Sequence, residues 1–171
     1  MEAIIYTSNT GTTKEYAVLL GQHTGLPILS FEEAVGKIPK GSEIIYLGWV
    51  MAGKVQGYAK ASKKYKVKAV CCVCMGKTGT QINEIREKNQ ILETVPVFSM
   101  QGGFDINKLH GIYKMMMKIM EKTAGKGLAE KTDRTPDEDV MLEMMLHGAD
   151  YVSENNMKDL FEWYDSSTQK A

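Results

Sequence analysis

The sequence predicts a doubly wound α/β sandwich, a five-stranded parallel sheet with helices on both faces. Three observations carry that expectation. Four apolar runs rich in β-branched residues stand at 3–7, 43–49, 67–75 and 95–100, with a shorter one at 27–31, each bounded by Gly, Pro, Ser or charge. The runs are apolar almost continuously rather than alternately, as strands buried on both sides of a parallel sheet are. Helix-like patterns separate them, and strand–helix alternation is the signature of crossover connections.

The first helix is expected over residues 13–23, with Tyr16, Ala17, Leu19 and Leu20 on one side. Residues 58–65 and 80–89 are less regular but long enough for helices. After the fifth run comes "DINKLHGIYKMMMKIMEK". Here Ile106, Leu109, Tyr113, Met116 and Met120 recur at three- and four-residue spacing, and Lys114, Lys118 and Lys122 mark another face. "KTDRTPDEDV" reads as a loop with a helix start at Pro136. A helix through Met141, Met144, Met145 and His147 follows, and a last one covers 157–164. No internal repeat or low-complexity linker is present. One domain across residues 1–171, with a helical extension from about 130, is the expected organisation.

A chain of 171 residues is long enough for a substantial core. No apolar run approaches the ~20 residues that span a bilayer, and Met1–Glu2 leads straight into the first strand without a signal-peptide pattern. All three cysteines fall within "CCVC", residues 71–74. That crowding suits buried thiols in a reducing cytoplasm better than a disulfide framework.

The net charge of zero hides a division. Residues 130–165 hold eleven acids and three bases, so the rest of the chain carries +8. Lys54, Lys60, Lys63, Lys64, Lys66 and Lys68 form a basic stretch with no acid inside it. It reads as a solvated helix face or as a docking surface for an anionic partner.

Doubly wound sheets bind ligands outside the carboxyl ends of their strands, which selects residues 7–13, 49–57, 75–80 and 100–105. The first is the most informative. "SNTGTT", Ser8, Asn9, Thr10, Gly11, Thr12 and Thr13, joins the first strand to the first helix with hydroxyls at four of six positions and no charge. A helix N-terminus has unpaired N–H groups and partial positive charge, a natural seat for phosphate. Small residues let the backbone close in, and neutral donors suit a terminal monophosphate. The competing reading is an ordinary cap by Thr10 or Thr12. The dinucleotide fingerprint is absent, and "GKT" at 76–78 has Cys71 where a Walker loop needs its first glycine.

At every specified position residues 8–13 fit the [ST]-x-T-G-x-T phosphate loop of flavodoxins, and the element order from Ala3 to about Lys122 resembles that family's fold. The resemblance implies strand order 2-1-3-4-5 and bound FMN, with the phosphate on residues 8–13 and the isoalloxazine between two later loops. Those loops would be "WVMAGK", Trp49, Val50, Met51, Ala52, Gly53 and Lys54, and "QGGF", Gln101, Gly102, Gly103 and Phe104. Both pair glycine with an aromatic, which allows close approach to a flat ring and stacking on it. Lys54 is either a cation for the pyrimidine side of the flavin or the first of the solvated lysines.

Flavodoxin carriers are strongly acidic and this chain is not, so an oxidoreductase is expected, with a small electron carrier or a flavin-free binding module as alternatives. Beyond Asp105 the sequence looks more like the menaquinone-dependent protoporphyrinogen oxidase branch. The match is the Gly-led loop, the Met- and Lys-rich helix 105–122 and "KTDRTPDEDV". This resemblance implies electron transfer from a reduced donor such as a porphyrinogen to a quinone or protein acceptor. The helix's Lys108, Lys114, Lys118 and Lys122 would then face porphyrin carboxylates or, in peripheral contact, anionic headgroups at a membrane's inner face. The alternative is a core helix whose Met stripe packs on the sheet, with its lysines in water. His23, His110 and His147 are scattered without ligand spacing, so no metal site is expected. The basic stretch lacks interleaved aromatics other than Tyr58 and Tyr65, so no nucleic-acid partner is expected.

Overall fold

In the computed structural model the structure describes residues 1–103, 130–135, 139 and 148–168. Strands β1 (Ala3–Thr7), β2 (Ile28–Ser30), β3 (Glu43–Met51), β5 (Lys66–Cys74) and β6 (Val97–Gln101) form one parallel sheet in the order β2-β1-β3-β5-β6. A two-residue strand, β4 (Lys54–Val55), pairs antiparallel with the end of β3. Leaving out that hairpin strand, the order is the expected 2-1-3-4-5.

Alternation along the buried strands sends successive side chains to opposite faces, and two cores result. On one side Ile5, Ile44, Tyr46, Val70 and Cys72 meet α2 (Phe31–Lys37), α3 (Tyr58–Lys64) and α4 (Ile82–Asn89). On the other, Ile4, Ile45, Leu47, Cys71 and Met100 meet α1 (Thr12–Thr24) and α5 (Lys158–Thr168). Met157 and Leu160 are fully or almost fully buried in that second core. Residues 157–168 are therefore part of the second core and not an appendage to it. His23 near the end of α1 stacks on Phe161 at 4.0 Å and pairs with Asp165 at 3.0 Å, joining the two helices.

Three local features depart from the sequence reading. The run 27–31 is a strand only to Ser30; Phe31 begins α2. Ser30 is its N-cap, accepting from Glu33 N while Glu33 Oε2 accepts from Ser30 N, the reciprocal capping box that "SFEE" encodes. Residues 49–57 contain a hairpin, because Ala52 (φ 50°) and Gly53 (φ 76°) both take left-handed backbone between the paired Met51 and Lys54. Two positive φ angles in a two-residue turn match strand twist. The last helix begins after a 3-10 turn, Glu154–Met157, and runs to Thr168. The expected helices over 105–122 and after Pro136 lie outside the described residues.

Candidate functional site

The loop leaving β1 enters α1 through Gly11, the N-cap residue, whose φ of +103° is open to glycine and strained for other residues. No side chain caps the helix. Thr10 and Thr12 place their hydroxyls 3.4 Å from one another, and Ser8 Oγ accepts from Gly11 N at 3.2 Å. The cap reading for Thr10 or Thr12 is thus not what the chain adopts. Thr13 is buried within the helix. The amide nitrogen of Asn9 is buried with no hydrogen-bond partner among the described residues. An unpaired buried donor costs about 1–3 kcal/mol, and an incoming acceptor at this loop would offset that cost.

Ser8, Asn9 and Gly11 open on a cavity of about 330 Å³ whose other walls include Lys14, Ser30 and Glu32. Charge thus reaches the site from just outside the six-residue motif. Lys14 stands one position past it, and Glu32 arrives on the first turn of α2, whose placement the motif alone does not disclose. Glu32 and Glu33 also help burial raise the pKa of Tyr6, which lines the same cavity.

Two contacts bring the other loops to this one. A Cβ on Gly57 would strike the Tyr46 hydroxyl and lie 2.5 Å from Thr7 Oγ1, so the hairpin's base rests directly on the end of β1. Tyr46 is fully buried; its hydroxyl donates to Gln56 O (2.7 Å) and shares a 2.8 Å bond with the Thr7 hydroxyl. Burial pushes the phenol far above its ordinary pKa, so it stays protonated as a link between the two segments. On the other side a Cβ on Gly102 would lie 2.5 Å from Val73 Cγ1 and 3.2 Å from Thr12 Cγ2.

Among the expected ring contacts, Trp49, Val50 and Met51 are partly buried at the end of β3, and Ala52 is exposed at the turn. Lys54 is exposed and donates to the backbone carbonyl of Lys88 on α4. Gly53 is held by Asn89, whose Nδ2 donates to its carbonyl at 2.8 Å. Gln101 N donates to Thr78 Oγ1 (3.0 Å) and Gly102 N to Cys74 O (2.8 Å), which fixes the third loop from below. Phe104 lies outside the described residues.

One group at this site escapes sequence reading altogether. The Tyr16 hydroxyl and Asn156 join the third loop to the C-terminal segment: Asn156 Nδ2 lies 2.9 Å from the Tyr16 oxygen and donates to Tyr151 O at 2.8 Å. Tyr16 was legible only as a core residue, and nothing local marks Asn156. The three thiols of 71–74 are free and buried, and burial raises the pKa of each. They are therefore protonated and poor nucleophiles at neutral pH. Among the described residues no cluster of His, Cys, Asp or Glu could hold a metal, and no helix is long and apolar enough to cross a membrane.

Sheet order, helices on both faces and three loops gathered over the strand C-termini define a doubly wound α/β fold of the flavodoxin-like type. No protein-family model, curated protein or solved structure matches the chain.

Proposed function

We propose that this protein is an FMN-dependent oxidoreductase, passing electrons between a reduced organic donor and a quinone or protein acceptor. The observation that carries the reading is the uncapped start of α1 beside an orphaned Asn9 amide and an adjoining cavity. Free N–H groups at a helix start, small residues and one unpaired donor suit a phosphate monoester. Residues 8–13 would hold that phosphate. The β3–β4 hairpin and residues 101–104 would flank the ring, Trp49 and Phe104 supplying aromatic surface. FMN bound there supplies hydride and single-electron transfer, while the chain binds, orients and shields it. The resemblance beyond Asp105 makes a porphyrinogen the donor to try first, and the Met- and Lys-rich segment 105–122 the one to test for contact with a membrane surface.

Titration of the flavin-free chain with FMN, followed by fluorescence quenching and melting temperature, tests this. A ligand that binds only the folded state must raise its melting temperature. Asn9→Asp puts a carboxylate of nearly equal size into the phosphate seat and is expected to weaken FMN at least tenfold. Gly11→Val is a poorer probe, because φ +103° strains any valine there before a ligand is considered. A wild-type chain that neither quenches FMN nor melts higher with it overturns the proposal and favours a flavin-free binding module. Turnover of reduced FMN by a quinone separates the oxidoreductase from a carrier that serves only protein partners.

A further inference from the structure

The basic stretch 54–68 has no acid within it, and the fold divides its lysines between two kinds of work. Lys66 and Lys68 lie 2.7 and 3.6 Å from Glu43 Oε1, and Lys64 donates to Val35 O at 2.9 Å. Lys54 and Lys60 instead meet Lys88 around a hollow of about 400 Å³ between β4, the start of α3 and the end of α4. Gln56, Asn89 and Gln90 also line it, and no acid does. Three lysines from three separate elements thus line one concave space, Lys88 already paired with Glu84 at 2.7 Å, with side-chain amides between them.

The frame is built by hydrogen bonds. Asn89 Oδ1 accepts from Val55 N at 2.9 Å, and its Nδ2 donates to Gly53 O and Ile85 O at 2.8 and 2.7 Å. That side chain ties the hairpin to α4 and fixes the distance between two of the lysine-bearing elements. An ammonium has three donors. Lys54 uses one on Lys88 O; Lys88 uses two, on Glu84 Oε1 (2.7 Å) and Ala52 O (3.3 Å). The Lys60 ammonium has no partner among the described residues. Donors therefore remain on each lysine; Glu84 compensates Lys88, and an entering anion would compensate Lys54 and Lys60.

We propose that this hollow binds a small polyanion, a ligand carrying two or more phosphate or carboxylate groups. Two anionic groups are needed because the cations approach from different walls, and a ligand spanning them would bridge the hairpin, α3 and α4. The site is separate from the loop of residues 8–13 but shares Lys54 and the hairpin with the proposed ring-binding face, and its test needs no FMN.

Pyrophosphate and citrate, titrated separately into the full chain at ionic strength held constant with potassium chloride, test the proposal by calorimetry and amide NMR shifts. The expected result is saturable binding that shifts residues 57–59 and 88–90. Lys60→Gln should weaken it about five- to tenfold through loss of a charge-assisted bond. Lys63→Gln, exposed on α3 but outside the hollow, should change it less than twofold. Saturation by pyrophosphate alone assigns phosphate chemistry, by citrate alone carboxylate chemistry. No saturation by either, equal losses in both variants, or shifts confined to residues 8–13 overturn the site.

Discussion

The Tyr16 hydroxyl donates a 2.5 Å hydrogen bond to the carbonyl of Gln101. Tyr16 stands one turn into the helix that begins at the phosphate-type loop, and Gln101 opens the third loop, so this bond joins two sides of the candidate site. Asn156 adds a donor at 3.4 Å to the same carbonyl. Burial raises the pKa of Tyr16, with the Asn156 bond opposing it, so the phenol remains a donor through the neutral range.

Tyr16→Phe and Asn156→Asp each remove donors from this junction with little change in volume. Each is expected to weaken FMN about five- to tenfold and to cost about 1 kcal/mol of stability. The double variant should lose less than the sum, because both act on one network. FMN titrations and urea unfolding of the four proteins check this. Additive effects would show that the two side chains act separately.

Gly57→Ala should be among the most damaging small substitutions outside the strands. The position has φ +81°, and an added methyl would meet the Tyr46 hydroxyl and Thr7 Oγ1. Backbone strain and overpacking together are expected to cost about 2–4 kcal/mol. Urea unfolding measures it, and a loss under 1 kcal/mol would mean that the hairpin can lift away from β1.

Ala52 is an exposed alanine in left-handed backbone at a two-residue turn beside Gly53. Asparagine tolerates that conformation better than alanine does. Ala52→Asn is expected to stabilise the protein by about 0.5–1 kcal/mol, read as a rise in melting temperature. A fall would mean that the turn does not persist in solution.

The carboxyl of Glu43 is held below its ordinary pKa by its hydrogen bond to Lys66 and by the charge of Lys68. A carboxylate with a depressed folded pKa stabilises the fold above its unfolded value. That contribution disappears as the pH falls through the folded value. Wild type should therefore lose stability more steeply than Glu43→Gln between about pH 5 and 3. The pair is solvent-exposed, so the difference will be small. Identical slopes in denaturation series at those pH values would show that the pair contributes nothing.

The near-continuous apolar runs fixed the sheet as parallel and buried on both faces, since a solvated face would have required alternation at Ile44–Leu47 and Val70–Cys74. The small polar residues 8–13 marked where α1 begins, because a helix start is set by the residues around it. Two further signals are local: "SFEE" for α2, and Ala52–Gly53 for the hairpin. Both depend on neighbouring residues alone. Other features had no local signal. Glu32 reaches the cavity because β2 pairs beside β1, and Lys88 joins Lys54 because Asn89 clamps α4 to the hairpin. Asn156 meets Tyr16 across 140 residues. The sequence by itself determined the elements and the loop that starts α1, since their physics is local. Only the tertiary structure decided which charges and donors share a space, because that depends on which strands pair and which helices cover them.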